Sequence, residues 1–325
     1  MTKVVGINRP LGLTDGKPPH LLIILNRRAA QKRIGRFQDV LVLLESAGCT
    51  YEVKETHAAG DAARYASQAV AGCVDIVAVA GGDGTINDAI NGFHPGTPPL
   101  GLIPLGTANV LAHEIGLAIT PAAIVAALTA GDRLSVVPGQ VNGRRFMMMA
   151  SIGFDAHVVS AVGKALKRRI GKFVYVLAAL RQIFRYSCPH LVVTVDGVPL
   201  RAATVVVSRG RLYGGRFLMA PKADLGTPEF QVSLFRRKGR LAMAGYSAAL
   251  PLGLLNRWKL IDHITARAVE VRDRHGDPVQ ADGDTTAFLP AVIELAEHPI
   301  QVLVPTRASS PDLGSTMKMT CLERS

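Results

Sequence analysis

Two glycine-rich turns in the first third of the chain carry residue types that can hold a phosphate. In the first, the apolar run Val74–Ala80 leads into Gly81-Gly82-Asp83-Gly84-Thr85, with Asn87 two residues on. Three glycines in four positions permit positive φ and close backbone approach, so successive N–H groups can converge on an anion where a helix starts, here read as near Asn87. Asp83 would repel a phosphate on its own; it makes sense beside Mg2+, or as an acid or base next to a phosphoryl group in transfer. The alternative is an ordinary strand-to-helix turn with a surface carboxylate. The second turn, Leu102-Ile103-Pro104-Leu105-Gly106-Thr107-Ala108-Asn109, also ends a strand and starts a helix. Ligands of parallel α/β sheets bind at the carboxyl ends of the strands, so both turns, with Asn26 at the end of the first strand, would surround one crevice. Neither GxxxxGK[ST] nor a strand-borne GxGxxG occurs, so the usual mononucleotide and dinucleotide fingerprints are excluded.

The elements that must position these residues alternate as βαβ units. Leu21–Leu25 reads as a strand. Ile34, Phe37, Val40, Leu41 and Leu44 recur at helical spacing up to Gly48, and Tyr51–Glu55 is a second strand. Asp61–Ala71 reads as a helix, Val74–Ala80 and Leu100–Pro104 as strands, and Thr120-Pro121 caps a helix running to Ala130. After Leu134 short β runs dominate: Phe146–Ser151, Leu191–Val195, Ala202–Ser208, Phe230–Phe235, Ile264–Asp273, Val292–Leu295 and Gln301–Val304. Two helical stretches, Val158–Phe184 and Leu241–Leu255, interrupt them, and Met147-Met148-Met149 reads as part of a strand. The expectation is an N-terminal α/β domain over 20–133, a β-sandwich-like domain over 134–305 and a polar tail over 306–325.

The chain has 325 residues, with 37 Lys plus Arg against 25 Asp plus Glu, a net charge of +12. Mean hydropathy of +0.24 excludes a disordered chain. The positive surplus suits nucleic acid, an anionic membrane surface or a phosphate-bearing small molecule. The uncharged apolar stretch Ile115–Gly131 falls short of a membrane span, and the first twenty residues hold no apolar block of a signal peptide, which points to a cytoplasmic protein. Cys49, Cys73, Cys188 and Cys321 lie too far apart to signal zinc or a disulfide framework, and the nine His are scattered.

The two glycine turns, together with Ser151-Ile152-Gly153-Phe154-Asp155-Ala156, Tyr213-Gly214-Gly215, Ala220-Pro221 and Gln280-Ala281-Asp282-Gly283-Asp284, occur in an order that strongly resembles the diacylglycerol kinase catalytic family. The resemblance runs from Leu21 to Pro305. It implies a nucleotide-binding α/β domain related to that of NAD kinases, a β-sandwich, an active site between them, and transfer of the ATP γ-phosphoryl group to a lipid hydroxyl with Mg2+. It further implies that Asn26, Thr56, Gly81, Gly82, Asp83, Gly84, Thr85, Asn87, Gly106, Thr107 and Asn109 contact the nucleotide. Asp83 would orient Mg2+ or the attacking hydroxyl, and Asp155 would face the lipid head group or, alternatively, cap a helix near Val158. Asp284 stands where the family has the glutamate that accepts the hydroxyl proton; one methylene shorter, it keeps the chemistry.

Departures from the family pattern are Arg27-Arg28-Ala29-Ala30 after Asn26, Asp88 after Asn87, Val136-Val137-Pro138 before Gly139, and Thr227-Pro228-Glu229-Phe230 in the place of a structural metal motif, which leaves Asp224 as the nearby carboxylate. Lys164, Lys167, Arg168, Arg169 and Lys172 precede apolar Phe173–Leu177, and Arg236, Arg237, Lys238 and Arg240 precede a second apolar helix ending at Trp258-Lys259. Such basic-apolar helices suit an interfacial role, with core packing as the alternative. The partners expected are a lipid substrate, an anionic membrane contacted peripherally and, as an option, a second copy of the chain. Few aromatics accompany the basic runs, so nucleic acid is not expected. An NAD kinase-like activity and a degenerate anionic-lipid-binding protein are the alternatives to a lipid kinase.

Overall fold

The computed structural model describes residues 7–8, 17–162, 181–183, 189–257 and 261–306. The described α-helices are α1 (Arg27–Ala30), α2 (Ile34–Ser46), α3 (Asp61–Ser67), α4 (Asp83–Ile90), α5 (Val110–Glu114), α6 (Pro121–Ala130), α7 (Phe154–Ala161) and α8 (Arg240–Ala249). A seven-stranded sheet runs in the order Ile7–Asn8, Asp132–Val136, Ile300–Val304, Leu100–Pro104, Ile76–Gly81, His20–Leu25, Thr50–Glu55. The last five strands are parallel. Both faces of this sheet are covered, which is why Leu21–Leu25 and Ile76–Ala80 are buried without alternation. On one face Phe37, Val40 and Leu44 of α2 and Ile124 and Leu128 of α6 meet Leu21, Ile23 and Ala78. On the other, α3, α4 and α5 pack Ala62, Ile86, Ile90 and Leu111 against Leu22, Ile24 and Val79.

The second half is a sandwich of two six-stranded antiparallel sheets. One passes from Val198–Ala202 through Leu191–Val195, Ala268–Val271, Ala291–Leu295 and Gly139–Val141 to Arg144–Phe146; the other runs from Ile261–Ala266 through Phe230–Phe235, Thr204–Ser208, Met149–Gly153 and Pro278–Ala281 to Asp284–Phe288. Val193, Val271 and Ile293 of the first share a core with Ile152, Val205, Val232 and Val279 of the second. Met149, Val206 and Phe235 line the outer face of that second sheet, against α7 (Phe154, Val158) and α8 (Met243, Tyr246). This is the two-domain α/β plus β-sandwich architecture expected from the sequence.

Several boundaries differ from the sequence reading. α4 opens at Asp83, four residues before Asn87, because Gly82 takes an extended conformation (φ −104°, ψ −177°) and the helix follows at once. The run Phe146–Ser151 is two strands in different sheets, broken at Met147-Met148, whose side chains enter the core of the first domain. Gln301–Val304, read with the β-rich region, pairs in parallel with Leu100 and antiparallel with Asp132–Val136, so it belongs to the first sheet. Asp132–Val136 also stays whole in that sheet, and the chain crosses over at Val137-Pro138. α3 stops at Ser67, and α8 stops at Ala249, ahead of Pro251 and Gly253. Of the stretch Val158–Phe184, α7 holds the beginning; Lys164, Lys167, Arg168, Arg169, Lys172 and Phe173–Leu177 lie outside the described residues, as do Cys188, Trp258, Lys259 and the tail from 307 onward.

Arg209 is fully buried at the domain crossover. Its guanidinium donates to the carbonyls of Val137 (2.8 Å), Leu225 (2.9 Å) and Glu229, and burial lowers its pKa to about 10. Replacing it with Met keeps the volume and strands three carbonyls. Arg209→Met is expected to cost about 3 kcal/mol in urea unfolding; an unchanged midpoint would show that the crossover does not depend on it.

Candidate active site

The register of the first sheet sets four chain segments along one edge. Leu25 lies opposite both Ala80 and Glu55, and Gly81 lies opposite Pro104, so Asn26, Thr56, Gly82 and Leu105 leave their strands side by side. Strand order reverses between His20–Leu25 and Ile76–Gly81, the point at which α/β sheets open a crevice. Asn26 spans it. Its Oδ1 accepts from Ala29 N (3.1 Å), capping α1, while its Nδ2 donates to Thr85 Oγ1 (3.0 Å) on α4. Arg27 and Arg28, by contrast, are exposed, and Arg27 reaches Glu55 at 3.4 Å.

The N-terminus of α4 has no side-chain cap, so its first-turn N–H groups and the positive end of its dipole face the crevice. The second turn touches the first through backbone alone: a Cβ on Gly106 would stand 2.5 Å from Gly82 Cα. Asn109, at φ +47°, donates from Nδ2 to Gly106 O (2.9 Å), while its buried Oδ1 has no hydrogen-bond partner among the described residues, an acceptor suited to a bound hydroxyl or water. Thr107 is exposed at the rim. The edge thus brings together Asn26, Thr56, the Gly81–Asn87 turn and Gly106–Asn109, all named from the sequence.

The acidic residues divide into distinct tasks. Asp83 turns away from a purely ligand-facing role: its Oδ1 accepts from Val110 N (2.7 Å) and Leu111 N (3.5 Å), capping α5, and burial together with the nearby Asp282 charge pushes its carboxyl up. Asp88 accepts from Gly60 N (3.0 Å) and Ala62 N (3.2 Å) and so caps α3. Asp282 accepts from the backbone N–H groups of Met147 (2.7 Å), Met148 (2.9 Å) and Met149 (3.0 Å) and from Asn87 Nδ2 (2.9 Å). Burial pushes its carboxyl up against the pull of those four donors. Asp284, two residues on, is carried over the glycine turn, where a Cβ on Gly84 would stand 3.7 Å from its Oδ2. A carboxylate from the sandwich domain therefore faces the helix N-terminus of the α/β domain.

Asp155 does not cap a helix near Val158: α7 already starts at Phe154, and the carboxylate is filled by protein donors. Ser151 Oγ (2.5 Å) and Gln280 Nε2 (3.1 Å) donate to Oδ2, and the Tyr213 hydroxyl donates to Oδ1. Gln280 Oε1 in turn accepts from Gly283 N (2.9 Å), which fixes the turn that presents Asp284. On the other side, Glu114 at the end of α5 holds Arg211 Nε (3.0 Å) and Leu212 N (2.9 Å). A continuous hydrogen-bonded path thus runs from Asp83 through α5, Glu114, the Tyr213 hairpin, Asp155 and Gln280 back to the Asp284 turn. Asn91 and Arg145 add a second tie between domains: Arg145 N donates to Asn91 Oδ1 (2.9 Å), and its guanidinium donates to Phe93 O (2.6 Å). Sequence reasoning missed Glu114, Asn91 and Arg145; the one available signal was a lone carboxylate, Glu114, just before the uncharged stretch that begins at Ile115. Asp224, the suggested metal ligand, accepts from Gly226 N (2.9 Å) within its own turn, and among the described residues no group of three His, Cys, Asp or Glu could hold a metal ion. Its neighbour at that place is the Arg209 cation.

Comparison with known proteins agrees with the two-domain architecture. The family model for the diacylglycerol kinase catalytic domain matches residues 20–141, and that for the YegS C-terminal NAD kinase beta sandwich-like domain matches 148–304. A diacylglycerol kinase of Staphylococcus carnosus is 27% identical over 90% of this chain and 97% of its own length. The lipid kinase YegS of Escherichia coli K12 is 30% identical over 67% of this chain and 74% of its own. In fold, the crystal structure of a diacylglycerol kinase from Bacillus anthracis aligns with a TM-score of 0.66 at 23% identity, covering 90% of this chain and 99% of that one. The class so defined is that of the lipid kinases, which are phosphotransferases. The chain belongs to the diacylglycerol kinase catalytic family.

Two outcomes follow from the geometry. Gly106→Ala would force the turns apart at Gly82, and ATP binding measured by calorimetry is expected to weaken roughly tenfold or more; wild-type affinity would contradict the backbone contact. Burial raises the Asp155 pKa above its ordinary 3.8. Between 3.8 and the raised value the folded chain keeps a proton that the unfolded chain has lost, so stability present at low pH declines as pH rises through that window. Asp155→Asn is expected to remove this part of the decline when urea unfolding is followed against pH.

Proposed function

We propose that the protein transfers the γ-phosphoryl group of ATP to a hydroxyl of a diacylglycerol-like or sphingoid/ceramide lipid. The observation that carries this reading is Asp284 Oδ2 beside Gly84, which sets a proton acceptor against the N–H groups of α4. Those N–H groups, with Asn26 and the Gly106–Asn109 turn, would receive the phosphates, and the orphaned Asn109 Oδ1 is chemically suited to a ribose hydroxyl or an ordered water. The lipid oxygen attacks the γ-phosphorus, the bond to the β-bridging oxygen breaks, ADP leaves, and the hydroxyl proton passes to the Asp284 carboxylate. Bound Mg2+ would neutralise the charge that develops on the phosphate oxygens. Asp83 at the start of α4 and Asp284 opposite Gly84 are the carboxylates that would hold that ion beside the phosphates.

Radiolabelled γ-phosphoryl transfer from ATP to diacylglycerol, monoacylglycerol, ceramide and sphingosine in mixed micelles tests this directly. Labelled phospholipid is expected with at least one acceptor. Asp284→Ala is expected to lower kcat by about 10²–10⁴-fold while ATP still binds, and Asp284→Glu to keep most of it. Full activity in Asp284→Ala, or transfer to NAD in place of every lipid, would overturn the reading.

A further inference from the structure

Five large apolar side chains between residues 212 and 254 are exposed: Phe217 (38%), Leu218 (41%), Leu241 (91%), Leu252 (69%) and Leu254 (38%). Phe217 and Leu218 form the outer strand of a hairpin whose inner strand is Leu212–Tyr213. The Tyr213 hydroxyl donates to Asp155, so the root of this hairpin is fixed to the candidate active site. Leu252 and Leu254 occupy the turn after α8, and Asn256 Nδ2 donates to Leu218 O (2.9 Å), holding turn and hairpin together as one apolar tip. α8 packs inward through Met243, Tyr246 and Ala249, which leaves Leu241 on its outer side.

Basic side chains flank this face at two places, on the hairpin and at the start of α8, which is one helix length (about 15 Å) from the Leu252–Leu254 turn. Arg216, Arg236, Arg237, Lys238 and Arg240 are exposed, and the chain from 230 to 257 contains no Asp or Glu. Arg236 pairs with Asp262 (2.5 Å), which offsets its charge, so Arg236 is not counted among the docking cations. Exposed Leu and Phe rimmed by Lys and Arg are the chemistry of the bilayer interface, where apolar groups enter the acyl boundary and cations meet anionic headgroups. A second copy of the chain would set this positive rim against itself.

We infer that the face running along α8, from Arg237, Lys238 and Leu241 at its start to the Leu252–Leu254 turn and the Phe217-Leu218 hairpin with Arg216, docks the protein on an anionic lipid bilayer. The inference deepens the lipid-acceptor reading and names the face presented to the membrane. The hydrogen bonds Tyr213–Asp155, Asp155–Gln280 and Gln280–Gly283 join the root of this hairpin to the Asp284 turn, so the docking face and the candidate active site are tied together.

Vesicle co-sedimentation of the full chain, without ATP, tests the surface separately from the chemistry. The wild type is expected to sediment with phosphatidylglycerol-rich vesicles and to stay in solution with pure phosphatidylcholine. The paired substitution Phe217→Ser with Leu252→Ser, and the pair Arg237→Gln with Lys238→Gln, are each expected to weaken that partition by roughly tenfold. Val192→Ser with Val198→Ser, on the far sheet of the sandwich, serves as the control and is expected to leave it unchanged. All four positions of the test pairs are exposed, and circular dichroism should match the wild type. Undiminished binding in both test pairs would overturn the proposal, as would a concentration-dependent dimer in lipid-free solution that the apolar pair abolishes. Vesicle binding without phosphoryl transfer to any lipid would leave the surface standing and defeat the kinase reading; micellar activity without vesicle binding would do the reverse.

Discussion

The Asp282 carboxylate is the contact on which the rest of the structure depends. The chain between Arg144–Phe146 and Met149–Gly153 leaves one sheet and enters another, and backbone N–H groups at such a break have no ladder partner. Asp282 accepts three of them and the amide of Asn87 on α4 as well. One side chain of the sandwich thus satisfies its own domain's broken strand and ties it to the nucleotide-turn helix. Met147 and Met148, held in place by that carboxylate, bury their side chains in the core of the α/β domain. The polar clamp and the apolar anchor act at the same point, and the clamp sits two residues before Asp284, so it sets the height of that carboxylate above Gly84.

Several carboxylates in so small a volume would repel one another and pay for desolvation unless each had its own donors. Asp83 has the N-terminus of α5, Asp88 that of α3, Asp155 a hydroxyl pair and an amide, and Asp282 three backbone groups with Asn87. These engaged carboxylates build the cleft by holding helix ends, the Tyr213 hairpin and the 282–284 turn. Asp284 is the carboxylate placed against the start of α4, where a Cβ on Gly84 would stand 3.7 Å from its Oδ2.

Local signals made much of this legible in the sequence. The strands His20–Leu25, Ile76–Gly81 and Leu100–Pro104 are uninterrupted apolar runs, and Thr120-Pro121 with Gly131 marks both ends of α6, because each depends on neighbours in sequence. The crevice at the edge of the first sheet was legible for the same reason, since it follows from glycine turns at strand ends. Contacts that join residues far apart were not. Met147-Met148 read as strand because nothing local reveals that Asp282, more than a hundred residues on, would take their N–H groups. Asp83 and Asp155 read as ligand-facing because carboxylates in motifs suggest reaction, while the donors that occupy them, Val110 N and Tyr213 among others, come from other elements. Ile300–Val304 read as sandwich by proximity in sequence, whereas its pairing with Leu100 and Asp132–Val136 follows from the return of the chain.

The claim that the domain clamp positions the catalytic carboxylate is tested most directly by Asp282→Asn, assayed for both ATP binding and the single-turnover rate of phosphoryl transfer to lipid. The substitution keeps the shape and turns one acceptor oxygen into a donor facing backbone N–H groups. The transfer rate is expected to fall by roughly tenfold or more as Asp284 loses its placement, and by more than any loss of nucleotide affinity that comes through Asn87, the α4 residue Asp282 holds. A transfer rate equal to that of the wild type in a folded Asp282→Asn protein would contradict it.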